Sequence, residues 1–321
     1  MCTMEQEWKM ERNIKIEIAT QQRKIKILKI ISIIVYMGVL IIPLGFRIFN
    51  KTNYENTYIL GFLAVACLPC GYFIGKYAEN KNKELKELIG GNIVKEILTE
   101  RVQIIDYLPN GYINETFVKD CSILPNFNVI SGSDYINGIY RNVNFTFSDL
   151  KLLSEYRDIN PDSNYSLNTV TEFKGTLITM NIRQNIRGFV VLKESMRSNG
   201  EKNKGYFNKL FRESGLKNTL RMGNEIFDNR FDVIASDDKL AFSILTPVVI
   251  NTIMKIEGKI NIQFSNNMII IALNNGKNLF ELGDIKKDEN SIENYRREFR
   301  DDLSYILRIL DYIIEGCFFL F

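Results

Sequence analysis

The sequence contains no histidine among its 321 residues. This absence excludes Ser-His-Asp and Cys-His catalytic groups and any metal site that needs imidazole ligands. It also removes the side chain that most often serves as a general base. Enzymes can work with carboxylates, lysine, tyrosine or cysteine instead, but no recognisable motif of that kind occurs. We therefore predict a protein without catalytic residues, metal or cofactor.

Cysteine is also scarce. Cys121 and Cys317 are the two that follow the apolar N-terminal part, and two cysteines are too few for a disulfide framework. This usage favours a reducing compartment. Cys67 and Cys70 have the spacing of a dithiol redox motif, but they lie in an apolar stretch with no strand before it. Small apolar packing residues are the preferred interpretation, and a thiol redox protein is kept as a third hypothesis.

Excess charge of one sign is absent as well. The chain has 41 Lys and Arg against 38 Asp and Glu, a net charge of +3. This balance argues against nucleic acid as a partner.

Two long apolar stretches lie near the N-terminus, at residues 25–49 and 58–77. Each is close to the roughly 20 residues that a helix needs to cross a bilayer. Basic residues precede the first stretch and follow the second, which places both ends of such a hairpin in the cytoplasm. The sequence thus predicts a two-span protein of the cell membrane, with both termini and its soluble domain cytoplasmic and the lipid bilayer as a partner.

The patterns predict four segments and an α+β fold. Residues 1–24 form a juxtamembrane tail, 25–77 a transmembrane helical hairpin, 78–103 a helical stalk, and 104–321 a soluble domain with a mainly antiparallel sheet and a long C-terminal helix. Turn residues at 185–188 and 266–267 predict two hairpins. Helices are predicted over residues 237–256 and 288–319; strands over residues 142–147, 169–182, 188–193, 229–234, 260–264 and 268–273.

Two segments could bind a ligand. Small polar residues surround a carboxylate at 131–138, where Ser133, Asp134, Tyr135 and Asn137 are the candidate ligand-binding residues, although an ordinary turn that enters a strand is preferred. A basic segment with interleaved aromatics could face acidic lipid, although a solvated insertion is preferred. Its basic residues are Lys202, Lys204, Lys209, Arg212, Lys217 and Arg221.

Asp237 and Asp238 are the best pair of carboxylates in the chain, directly before a predicted helix. Adjacent side chains do not converge on one point, which argues against paired acid–base chemistry. A helix N-cap is the preferred interpretation.

Several short motifs, in a fixed order, resemble a bacterial membrane-protein family of unknown function, the domain-of-unknown-function 3137 family. The resemblance implies two N-terminal spans and an α+β domain, and it implies no activity and no catalytic residues. The matching segments are 131–138 (SGSDYING), 145–149 (FTFSD), 173–178 (FKGTLI), 231–237 (FDVIASD), 245–247 (LTP), 262–265 (IQFS) and 268–273 (MIIIAL).

The sequence leads to one main functional hypothesis. We expect a non-enzymatic scaffold module, held at the membrane, that binds a membrane or cytoplasmic protein. The alternative is a membrane-associated sensor of a ligand or lipid, which would use the Asp134 region or the basic segment.

Overall fold

The fold divides into two units of contact, Met1–Asn92 and Ile93–Phe321. A computed structural model describes residues 16, 18, 20–38, 55–89, 93–158, 166–195, 219–280 and 291–321. Each unit is treated by itself below.

The first unit contains two antiparallel helices, α1 at residues 20–38 and α2 at Glu55–Ile89. They approach closely at two glycines of α2. The Ser32 hydroxyl donates to the carbonyl oxygen of Gly71 at 2.8 Å. A Cβ at Gly71 would lie 3.0 Å from the Tyr36 ring, and one at Gly75 would lie 3.2 Å from Ser32 Oγ. Glycine suits this crossing, because a Cβ at either position would require the Tyr36 or Ser32 side chain to shift by a few tenths of an ångström.

The predicted transmembrane hairpin is wrong. Within the described residues, no helix is long and apolar enough to cross a membrane. The described part of the first apolar stretch still carries Lys26 and Lys29, and the second stretch forms one continuous helix with the charged residues that follow Lys76. The apolar composition of residues 58–77 alone could not show that the helix they form continues into the charged residues that follow. The predicted location at the cell membrane stays a prediction.

The second unit is a mixed structure of helices and one antiparallel sheet, as the α+β part of the prediction had it. Among the described residues of this unit, six strands form the sheet: β1 Gln103–Leu108, β2 Val129–Tyr140, β3 Val143–Asp158, β4 Ser166–Glu194, β5 Phe231–Ala235 and β6 Lys259–Asn274. The same described ranges contain six α-helices: α3 Lys95–Thr99, α4 Glu115–Asp120, α5 Glu225–Arg230, α6 Asp238–Ile244, α7 Pro247–Met254 and α8 Ser291–Gly316. A 3-10 helix follows at Phe318–Leu320.

Strand β4 is 29 residues long and is shared by three neighbours. The strand order is β1-β2-β3-β4-β5, and β6 also pairs with β4. On β4, residues 166–180 pair with β3, residues 190–194 pair with β5, and residues between 176 and 192 pair with β6. All of these pairings are antiparallel, so β4 connects the two halves of the sheet.

Both hairpins predicted near β4 and β6 are wrong. Residues 185–188 lie inside β4 and residues 266–267 lie inside β6, and the two segments face each other where the register shifts. Gly188 has φ +120° and Asn266 has φ +52°. Gly188 and Asn266 provide the positive φ angles of β-bulges. The backbone at such a bulge locally resembles that of a turn, which is why the sequence suggested hairpins.

The predicted helix over residues 237–256 is two helices. Asp237 caps α6, since its carboxylate accepts from the Leu240 N–H at 3.3 Å, which confirms the predicted cap. Thr246 caps α7 in the same way, accepting from the Val249 N–H, and Pro247 occupies its first turn. Proline fits the first turn because it has no N–H to leave unpaired, but it ends any helix that precedes it.

Each face of the sheet is covered by different residues. On one face, Leu150 and Leu177 pack with α4 and the residues that follow it, where Val118 and Ile123 are buried. On the opposite face, alternate residues of β3 include Phe147, whose ring contacts Phe280. The helix α8 presents an apolar stripe that is buried as predicted; its members are Tyr295, Phe299, Leu303, Ile306, Leu310 and Ile313.

Ion pairs join α3 at the start of this unit to α8 near its end. Arg296 lies 3.1 Å from Glu96, and Arg300 lies 3.0 Å from Glu100. Arg101 also donates to Ser304 at 3.3 Å. These contacts are partly or fully exposed, so each stabilises the fold by a fraction of a kcal/mol, but together they hold the first half of α8 beside α3.

Arg230 connects three segments of the unit at the end of α5. Its guanidinium lies 3.2 Å from Glu194 on β4 and donates to the carbonyl oxygens of Met254, Ile256 and Gly258. Glu194 also accepts from the Ile260 N–H at 2.8 Å. A planar group with several fixed donors is required here, because the acceptors lie in different directions.

Replacing Arg230 with lysine should destabilise the fold by roughly 2–4 kcal/mol, because an ammonium group cannot reach all of these acceptors at once. Urea unfolding followed by circular dichroism would measure the change. Arg221→Lys is the matched control, since Arg221 donates to one backbone carbonyl, that of Asp228, and should cost about 1 kcal/mol or less. Equal losses in the two variants would contradict the role of Arg230.

Candidate functional site

Asp134 occupies a bulge in β2, where the pairing with β3 shifts between Ser133 and Ile136. It is buried and has φ +57°. Aspartate tolerates this left-handed conformation better than most residues, and the Asp134 N–H donates to the carbonyl oxygen of Pro109 at 2.9 Å. The hydroxyl of Tyr107 on β1 donates to Asp134 Oδ1 at 3.2 Å. The bulge therefore interrupts the regular alternation of side chains along β2 and places the Asp134 carboxylate inside the protein.

Asp149 is the second buried carboxyl group of the site. It lies in β3, opposite Ser133 on one side and Thr176 on the other. The Thr176 hydroxyl donates to Asp149 Oδ1 at 2.7 Å, and the Leu279 N–H donates to Oδ2. Asp149 and Thr176 are fully buried. Asp149 thus connects β3, β4 and the segment that follows β6.

Burial, with smaller contributions from the charges of Asp134 and Asp302, raises the pKa of Asp149 to about 8. Hydrogen bonds from Thr176 and Leu279 act in the opposite direction, because they favour the charged form. The ordinary pKa is 3.8, so the folded protein binds this proton more tightly than the unfolded chain. The contribution to stability is therefore complete below about pH 4, declines as the pH rises and is constant above about pH 8.

Two further groups belong to this cluster. Asp302 on α8 accepts from the Phe280 N–H at 2.9 Å, and burial raises its pKa. Burial and the charge of Asp134 raise the pKa of Tyr107, which keeps its hydroxyl protonated as a donor. We refer to Asp134, Asp149 and Asp302, with Tyr107 and Thr176, as the carboxyl cluster.

Other buried ionisable groups lie outside the cluster. Burial lowers the pKa of Lys193 on β4 to about 7 and raises that of Cys317 to about 12. Cys317 is therefore protonated and unreactive at neutral pH. Cys67 and Cys70 lie one turn apart on α2 as free thiols, Cys70 exposed and Cys67 half-buried.

The predicted ligand-binding residues are only partly brought together. Asp134 is one of the cluster's three carboxyl groups, and Ser133 lies opposite Asp149 in the sheet. Tyr135 packs against the apolar core instead, and Asn137 is paired with Asp106 and Thr146. Of the predicted basic segment, Arg221 donates to the Asp228 carbonyl oxygen at 3.0 Å; the other five residues lie outside the described residues.

Sequence reasoning missed Asp149, Thr176, Tyr107 and Asp302. Asp149 could have been found, because it continues the alternation of Phe145 and Phe147 on one face of a strand and so falls where an apolar residue is expected. Asp302 had no such signal, since it lies 153 positions later on a helix rich in charged residues.

The carboxyl cluster can bind backbone N–H groups, and its carboxyl groups can gain or lose a proton. The two oxygens of Asp149 each accept a hydrogen bond from the protein, and one oxygen of Asp302 binds a backbone N–H. In the part of the chain that the structure describes, no group of three potential metal ligands occurs.

Residues 171–313 match the family model described as Protein of unknown function (DUF3137). This confirms the family resemblance over that part of the chain, which includes Thr176 and Asp302. A comparison with curated proteins gives no match. Among solved structures, the mycobacterial trehalose monomycolate transport factor A, TtfA, is similar with a TM-score of 0.32 and 10% identity, over 68% of this chain and 95% of that one.

Replacing Thr176 with valine should lower the free energy of unfolding by about 1–3 kcal/mol, because the buried Asp149 carboxyl loses a hydrogen-bond partner without a change in side-chain shape. Urea unfolding at a fixed pH would measure it. Thr169→Val is the matched control, because Thr169 is exposed on the same strand and should change stability by no more than about 0.5 kcal/mol. If the two variants behaved alike, the bond to Asp149 would carry no stability.

Proposed function

We propose that this chain is a protein-binding module without catalytic activity. The observation that carries the proposal is the exposure of large apolar side chains on α6, α7 and the 3-10 helix. Phe242 on α6 and Val248 on α7 are each 54% exposed, and Phe318 of the 3-10 helix is 71% exposed. The proposal takes these side chains as parts of one surface, because contiguous exposed apolar residues are typical of protein interaction sites.

The elements that carry these side chains are firmly held. Both α6 and the 3-10 helix contact β4, and α7 packs on α8. Gly316 at the end of α8 approaches α7 so closely that a Cβ there would lie 2.1 Å from Thr252 Oγ1. Neighbouring residues such as Val249 and Leu320 are buried. A rigid surface loses little entropy on binding, which favours its use for recognition.

The composition of this surface indicates the chemistry of its partner. Phe242, Val248, Phe318 and the half-exposed Phe319 offer aromatic and aliphatic contacts. Aromatic side chains often contribute most of the binding free energy at interfaces. We therefore expect a protein that presents apolar side chains of its own, and we refer to these four residues as the apolar surface.

Replacing Phe242 and Phe318 together with serine should weaken the complex by about thirtyfold or more, since one aromatic anchor contributes about 2 kcal/mol. Crosslinking of the full chain in its native cells, followed by quantitative mass spectrometry, would identify proteins lost from the variant. Ile226→Ser is the control, because Ile226 is 73% exposed but lies on α5. A partner retained by the double variant, or lost equally from the control, would contradict the proposal.

A second candidate function is lipid sensing, which the first unit favours. Exposed apolar side chains of α1, including Ile30 and Ile34, follow the exposed basic residues Lys26 and Lys29. On α2, Phe73 is exposed and precedes Lys76, which lies over the Tyr72 ring. An apolar surface beside basic residues is suited to acidic lipid headgroups.

Flotation of the full chain with liposomes would test this second candidate. Binding should be stronger with anionic than with zwitterionic vesicles, and Lys26→Gln with Lys29→Gln should weaken it by roughly 2 kcal/mol, at about 1 kcal/mol for each charge. Lys119→Gln is the control, because Lys119 is exposed in the other unit and pairs with Glu115. Equal flotation with both kinds of vesicle would count against lipid sensing.

A further inference from the structure

Two carboxyl groups from different elements bind consecutive backbone N–H groups. Asp149 on β3 accepts from Leu279, and Asp302 on α8 accepts from Phe280. The same segment is held at its start by the Gly276 N–H, which donates to the carbonyl oxygen of Lys174 at 2.9 Å. Residues 275–280, which we call the latch segment, are therefore tied to the sheet and to α8 at once.

The latch segment ends in a conformation that needs support. Phe280 has φ +54°, which an aromatic residue adopts only when its surroundings fix it. Its ring lies 6.0 Å from that of Phe147 on β3 and 6.0 Å from that of Phe299 on α8. Phe280 thus bridges α8 and the sheet, and the two N–H groups bound by the carboxyls are its own and that of the preceding residue, Leu279.

Asp149 is surrounded by acidic rather than basic groups. Asp134 faces it from β2 and Asp302 from α8, and the charge of each disfavours ionisation of Asp149. Tyr107 donates to Asp134, and the positive charge of Lys277 acts on Asp302. In the neutral state Asp149 Oδ2 still accepts from Leu279, while the proton resides on Oδ1, where the hydrogen bond with Thr176 can reverse its direction.

We propose that Asp149 is a proton-controlled latch: its neutral form holds residues 275–280 on the sheet, and its ionised form, repelled by Asp134 and Asp302, releases them. If release gives the carboxyl access to water, the ionised form is stabilised in the released state more than in the closed one. Release then becomes more favourable as the pH rises and reaches its full extent once Asp149 is ionised in the closed state. This regulation goes beyond the proposed function and does not depend on it.

Hydrogen exchange of the full chain, read by mass spectrometry on a peptide that covers residues 275–280, tests the latch. After correction for the intrinsic pH dependence of exchange, the opening equilibrium should rise by up to about tenfold per pH unit between pH 5 and about pH 8, then level off. Strand β5 serves as an internal reference, since it pairs with β4 at residues 190–194, whereas the hydrogen bonds of Asp149 join it to Thr176 and Leu279.

Asp149→Asn should remove most of this pH dependence, because the amide keeps an acceptor for Leu279 and cannot ionise, which leaves Asp302 as the one carboxyl group bound to the segment that still titrates. Asp302→Asn should retain it but move the plateau to lower pH, because one repelling charge is gone. A pH dependence that is equal in wild type and Asp149→Asn overturns the proposal. If Asp149→Asn does not fold, an unshifted plateau in Asp302→Asn overturns it instead.

Discussion

The second unit depends on the hydrogen bonding of one strand. Over its 29 residues β4 pairs with β3 and β5 on separate parts of its length, and with β6 over residues between 176 and 192. No other described strand is shared by three partners. β4 and β6 stay paired on both sides of the bulges at Gly188 and Asn266, and helix α6 contacts both β4 and β5. A break in β4 would therefore separate the two halves.

Apolar periodicity allowed part of this fold to be predicted. The stripe of α8 and the cap at Asp237 follow from local rules and were confirmed. The turns at residues 185–188 and 266–267 were not, because a residue with positive φ looks the same in a bulge as in a hairpin. Only the register between distant strands separates the two cases. The helical hairpin was misjudged for a related reason, since local apolar composition does not show how far a helix continues.

The carboxyl cluster shows the same division between local and distant information. Asp134 was singled out because small polar neighbours surround it in the sequence. Its partners were missed, because Tyr107, Asp149 and Thr176 meet it only through the pairing of four successive strands. A single aspartate within an alternating apolar strand is the one local sign that such a cluster exists, and it identifies Asp149.

The placement of α8 has a consequence for how the chain folds during synthesis. This helix follows all the described strands in the sequence, yet it covers one face of their sheet and pairs with α3, some 200 residues earlier. Until α8 leaves the ribosome, Phe147 and its neighbours lack the cover that this helix gives to that face. The nascent sheet therefore exposes part of its apolar surface between the synthesis of its strands and that of α8, which makes it a client for chaperones that shield such surfaces.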